Sequence, residues 1–267
     1  MDNFHVIPFK CCGTPRCYIY PFSISIFIYI LIGFNQNSLK MSSDEIEARK
    51  ILGVQLGHCL AYILPQSDVA IKYPSFVPLF DQLLDGIPLN NGAQKFYLNK
   101  ETNSNRVFIP VKSLTIYGID DPRYWKLSWL EEWGKKVNIA EVVGISRFDV
   151  RGLVKAALLT PKVIYIVVFV VLLHIDAKGW TSPVNLIVKK PDGSKIESKI
   201  SLEGKPRGEY FEVIVGELTL DDRGCADTSV IEFGMYEHGS QPKSGLVLKG
   251  GLFRSKASAG CPHADTK

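Results

Sequence analysis

An all-β, antiparallel sandwich with a short, partly helical N-terminal extension is the fold class this sequence predicts, and three observations carry it. Short runs rich in β-branched and aromatic residues recur between residues 106 and 256: KSLTIYGI, ISRFDVRGLV, VIYIVVFVVLLHI, VNLIVKK, KIESKISL, YFEVIVGELTL, VIEFGMYE and SGLVLKGGLF. Turn chemistry separates them, in the segments DDP, DAKG, PDGSK, EGKPRG, DDRG and HGSQPKSG. Apolar and other residues alternate at Phe148 and Val150, and again at Phe211, Val213 and Val215, which is the period of a half-buried strand. Such spacing fits a sandwich and not a βαβ sheet. At most, Trp129 to Val143 holds one or two helical turns.

Taken in order, the chain divides into residues 1–40, 41–92, 93–256 and a flexible tail at 257–267. In the first part Ile19 to Phe34 is nearly unbroken apolar sequence, preceded by Lys10 and Arg16. Its 16 residues fall just short of the roughly 17–25 that a spanning helix needs. Three readings stand: an over-long gene model with the true start at Met41, a membrane anchor, or a signal peptide, although no small-x-small cleavage site follows. An anchored form has Cys11 and Cys12 available for palmitoylation.

Residues 41–92 read as a helical lead and a linker. Ser42 or Ser43 caps a helix with Asp44, Glu45 and Glu47 near its positive end. Pro65, Pro74, Pro78, Gly86 and Pro88 then argue against long regular elements. KFYLNKETNSNRVFIPV, from Lys95 on, is a hairpin: strand, polar turn, strand. Val163 to Leu173, with five valines and two isoleucines, is too short to span a membrane and suits a buried strand ended by His174.

Composition narrows the function classes. The 267 residues are 46% hydrophobic and 22% charged, which excludes a disordered chain and a polytopic membrane protein. A net charge of +4, with basic residues scattered, leaves no electrostatic footprint for nucleic acid. Six unevenly placed cysteines and the lack of an N-x-Ser/Thr sequon favour a reducing compartment. There is no Walker A loop, G-x-S-x-G elbow, H-E-x-x-H or C-x-x-C, and the five histidines are far apart. Asp120-Asp121 and Asp221-Asp222 sit at turns, where aspartate bonds nearby backbone amides. Catalysis, metals and cofactors are therefore not expected.

The most specific signal is SLTIYGIDDPRYWKL, where a strand delivers a D-D-P turn and then Arg123, Tyr124 and Trp125 together. SRFDVRG and FGMYEHGSQPKSGLVLKG follow in order. This set resembles the phloem protein 2 family, whose lectin domain is shared with the Nictaba-type tobacco agglutinin. Members carry L-S-I-T-W-x-D-x-P-x-Y-W, then W-L-E-I-R-G-K, and near the end L-M-E-V and W-K-S-G-L-I-V-x-G. The corresponding runs here are Leu114–Trp125, Phe148–Leu153 and Met235–Gly250, within a resemblance that covers residues 93–256.

The resemblance implies a jelly-roll-like lectin domain that binds N-acetylglucosamine oligomers, N-glycan cores or glycoproteins that carry them, with no cofactor. It carries a sugar-stacking tryptophan onto Trp125 and a sugar-contacting glutamate onto Glu237. The second stacking tryptophan falls on Gly118, with Tyr117 as the substitute platform if the strand is shifted by one residue. Asp120 and Glu237 are the candidate hydroxyl acceptors. The tryptophan before K-S-G is also absent, since the run reads Gln241-Pro242-Lys243. Trp125 has the alternative of anchoring the loop from the core, and Trp180 that of packing the sandwich. The second functional reading is a phloem-associated scaffold that has lost sugar binding, with phloem filament proteins among its partners. The expected location is cytoplasmic or nuclear, or membrane-associated if residues 19–34 are a real anchor; homodimerisation stays open.

Overall fold

In a computed structural model, the described residues are 42–55, 57–72, 76–99, 104–132, 135–221 and 228–256. The apolar run at 19–34, the tail at 257–267 and Asp222 lie outside them. No helix among the described residues is long and apolar enough to cross a membrane.

The lead is more helical than its prolines suggest. Helix α1 (Ser43–Lys50) begins at Ser42, whose Oγ accepts from the Glu45 N–H at 3.2 Å, with Asp44 and Glu45 in the first turn. One π-helical turn (Ile51–Gln55) follows, then α2 (Gly57–Gln66) and α3 (Phe76–Asp85). Pro78 sits in the first turn of α3, where an N–H has no helical acceptor to lose, and Pro65 falls in the last turn of α2. The position of Pro78 is therefore tolerated, Pro65 comes only one residue before its helix ends, and two ten-residue helices form where a linker was expected. Leu79, Phe80 and Leu83 of α3 are buried.

Thirteen strands follow among the described residues: β1 (Ile87–Leu89), β2 (Gln94–Asn99), β3 (Ser104–Pro110), β4 (Thr115–Ile116), β5 (Trp125–Glu132), β6 (Lys135–Val142), β7 (Phe148–Lys155), β8 (Ile164–Lys178), β9 (Val184–Lys189), β10 (Lys195–Ile200), β11 (Tyr210–Thr219), β12 (Val230–Glu237) and β13 (Ser244–Ser255). They form two antiparallel sheets, which is the predicted sandwich. The larger runs β1-β2-β3-β13-β6-β5, with β8 on β13 and β11 on β8. The smaller runs β10-β9-β12-β7-β4. Strand β13 organises the larger sheet: one edge pairs with β8 from Ser244 to Ser255, while the other is shared between β6 and β3.

Two expectations change. The described residues of the segment 129–143, 129–132 and 135–143, hold no helical turn; they belong almost entirely to the paired strands β5 and β6, registered from Trp125↔Val142 to Glu132↔Lys135. Leu127 and Trp129 on one strand face water, so their spacing is the two-residue period and not a helical stripe. His174 does not end its strand either, because β8 runs on to Lys178, paired with Ser244 of β13. The KFYLNKETNSNRVFIPV hairpin forms as β2 and β3, and Tyr165, Val167, Phe169 and Val171 of β8 are fully buried. Between the sheets, Phe233 meets Phe169 at 5.0 Å and Phe253 at 5.2 Å, ring centroid to centroid. At one end Phe148 packs between Trp125 and Trp180.

Candidate functional site

The loop from Tyr117 to Tyr124, between β4 and β5, holds three of the four expected site positions or their immediate neighbours. Its backbone is tied down at both ends. The Tyr117 N–H donates to Asp149 O of β7 at 2.9 Å, and the Val143 N–H donates to Tyr124 O at 2.8 Å. Inside the loop Tyr124 and Trp125 N–H groups both donate to Asp121 O. Asp121 braces the turn as aspartate does: its Oδ1 accepts from the Arg123 N–H at 2.9 Å, and its carboxylate is held by the Arg123 guanidinium at 2.6–3.1 Å. Those hydrogen bonds hold the Asp121 carboxyl below its usual pKa.

The structure sorts the expected residues into two layers. Tyr117 is in the outer one, 48% exposed, with the Arg147 guanidinium 5.1 Å from its ring centroid. Asp120, three residues further along the loop, is exposed. Trp125 is in the inner layer. It is 2% exposed, packs on Phe148, and donates its indole N–H to Tyr117 O at 3.0 Å. A buried indole offers no open face for a sugar to stack on; here it fixes the Tyr117 carbonyl. Trp180 is likewise buried and donates to Ser244 O at 2.9 Å.

Glu237 is also internal. It is 9% exposed and forms an ion pair with Lys243, which is 1% exposed. The Lys243 ammonium also donates to Ser146 O at 2.8 Å and Gln241 O at 3.0 Å, and Glu237 accepts from the Gly239 N–H at 2.7 Å. These bonds satisfy the buried charges, and they tie the segment bearing Arg147 to the end of β12. In this arrangement Glu237 is committed to protein partners.

Gly118 has φ +69°, and a Cβ there would come within 2.8 Å of the Tyr124 ring. The position needs glycine for backbone reasons, which accounts for the missing ring. Sequence reasoning overlooked Arg147, Lys243 and the pair formed by His238 Nε2 and Asp149 Oδ2, 2.9 Å apart. Lys243 lay inside a recognised run, yet nothing in a lysine's neighbours along the chain announces its burial. Among the described residues no cluster of His, Cys, Asp and Glu could hold a metal ion.

The family model described as Phloem protein 2 matches residues 104–255. A protein named Lectin from Luffa acutangula is 34% identical over 204 residues, covering 76% of this chain and 96% of that protein. Protein PHLOEM PROTEIN 2-LIKE A1 of Arabidopsis thaliana is 36% identical over 209 residues, covering 76% and 82% respectively. Solved structures align loosely: the CBM22-1 xylan-binding domain of Paenibacillus barcinonensis Xyn10C gives a TM-score of 0.32 at 10% identity, over 56% of this chain and 90% of that one.

Proposed function

The chain belongs to the phloem protein 2 family, and from that premise we propose that it is a lectin without catalytic activity, which binds N-acetylglucosamine oligomers or the cores of N-glycans at the Tyr117 loop. The relatives named Lectin support the binding class. The single observation that carries the site is an exposed tyrosine on a backbone locked from beneath by a buried tryptophan. A pyranose has an apolar face of C–H groups that stacks on such a ring, and its hydroxyl and acetamido groups need fixed polar partners. Arg147, over the Tyr117 ring, is a candidate donor, and exposed Asp120 of the same loop a candidate acceptor.

Calorimetric titration of the whole chain with the N-acetylglucosamine trimer tests the reading. Wild type is expected to bind, and Tyr117→Ala to weaken binding about 5- to 150-fold, from the loss of roughly 1–3 kcal/mol of stacking. A folded wild-type protein that ignores both this trimer and N-glycans would overturn it. The second reading, a scaffold that no longer binds sugar, draws on a specific observation: neither Gly118 nor Trp125 presents an open ring. It predicts the silent titration.

A further inference from the structure

The outer face of the larger sheet, on the side away from the smaller sheet, carries a trough of about 510 Å³. Six of its lining residues decide its chemistry: Tyr97, Arg106, Phe108, Glu132, Lys249 and Leu252. Register places them. Across β2, β3 and β13 one row reads Tyr97, Arg106 and Arg254, and the next reads Lys95, Phe108 and Leu252. Alternation along β3 buries Val107 and Ile109 on the core side and turns Arg106 and Phe108 outward.

The charges in this trough do not balance. Lys249 and Glu132 neutralise one another, with Nζ 2.5 and 2.6 Å from the two carboxylate oxygens. Arg254 is held by Glu212 at 2.7–3.2 Å. Arg106, directly opposite Arg254, has no carboxylate or other acceptor among the described residues, and its Nε is buried without a hydrogen-bond partner. Two like charges opposite one another on adjacent strands, one of them uncompensated and partly buried, cost stability unless an anion completes the site.

We infer that this trough is a second glycan site, separate from the Tyr117 loop, that takes an acidic oligosaccharide of the hexuronate class, with the sugar carboxylate on Arg106 and pyranose faces against Phe108 and Tyr97. A guanidinium fork matches a carboxylate in two parallel hydrogen bonds. The Lys249–Glu132 pair presents a donor and an acceptor together, which is what vicinal hydroxyls require. One uncompensated guanidinium balances a single carboxylate, whereas a phosphate dianion would leave a charge over. The trough volume falls within the range of ligand pockets, about 300–1,000 Å³.

The test is calorimetric titration of the whole chain with the galacturonic acid trimer, its methyl-esterified form and inorganic phosphate, with the N-acetylglucosamine trimer as a separate arm. The acidic trimer is expected to bind about tenfold or more tightly than the neutral ester. Arg106→Gln is expected to abolish that preference and leave the N-acetylglucosamine titration unchanged, and Arg106→Lys to restore part of it. The acid-against-ester comparison uses wild type alone, so it stands even if a variant fails to fold. Equal binding of acid and ester, no binding of either, or displacement of the acid by phosphate at equal concentration overturns the inference. Because the N-acetylglucosamine arm reads the Tyr117 loop, failure of one site is distinguishable from failure of the other.

Discussion

At Gly118 one backbone angle decides what the loop can present. A left-handed φ of +69° suits glycine, while the Tyr124 ring occupies the space a side chain would need. Restoring a tryptophan there, Gly118→Trp, is therefore expected to lower stability by about 1–3 kcal/mol and leave sugar affinity no better. Urea denaturation of the variant beside wild type reads the first, and titration with the N-acetylglucosamine trimer the second. A stable variant with tighter binding would show that the loop relaxes to display a ring. Trp125 teaches the complementary lesson: a residue that looks like a platform in the sequence is buried and instead holds the Tyr117 carbonyl through its indole N–H.

At the scale of elements, the outer face of the smaller sheet is a charge network laid across three strands. Glu232 of β12 accepts from Lys189 of β9 at 2.9 and 3.0 Å and from Arg151 of β7 at 3.0 Å, and Arg151 reaches Asp149 at 2.9 Å. Burial alone raises the Glu232 pKa, but the hydrogen bonds from Lys189 and Arg151 outweigh it and hold the carboxyl below its ordinary value. A carboxyl whose pKa is depressed on folding adds stability above its unfolded pKa and loses it as the pH falls through the folded value. Glu232→Gln is thus expected to cost about 1–2 kcal/mol at pH 7. The gap from wild type should close as the pH falls from about 5 to about 3. Thermal midpoints measured across that range check it, and a gap that stays constant with pH rules the network out as its source.

At the scale of the whole molecule, the two sheets approach closely because the large ring of Phe233 meets glycines. Gly152 lies beside it on β7 and Gly251 faces it from β13 of the other sheet; a Cβ at either would come within 2.4 Å of the ring. Gly251→Ala is expected to destabilise the sandwich by about 1–3 kcal/mol, through overpacking. Phe233→Leu, damaging alone, should recover part of that loss in the double variant, because the two changes share one space. A double-mutant cycle by urea denaturation measures the coupling; simple additivity would mean that the sheets adjust independently of this contact.

The sequence alone determined the class of fold and most of its strands, since alternation and turn residues are local signals: Phe148 and Val150, Val213 and Val215, and the buried run of β8 all read correctly. It also carried the family, because the DPRYW and KSGLVLKG runs survive as contiguous text. Helix α3 escaped because a proline is costly in a helix interior and cheap in the first turn, where Pro78 lies, and α2 because Pro65 falls next to its end; both distinctions depend on where the helix begins and stops. Which aromatic faces water was decided only by tertiary structure. Trp125 and Tyr117 are eight residues apart, at the two ends of one loop, and the packing of Phe148 buried the first while the second stayed outside. The same holds for charge. Lys243 became buried only when Glu237, Ser146 and Gln241 closed around it, and Arg106, which register set against Arg254, has no acceptor among the described residues. Burial and pairing belong to the assembled sheets, whose contacts join residues far apart along the chain.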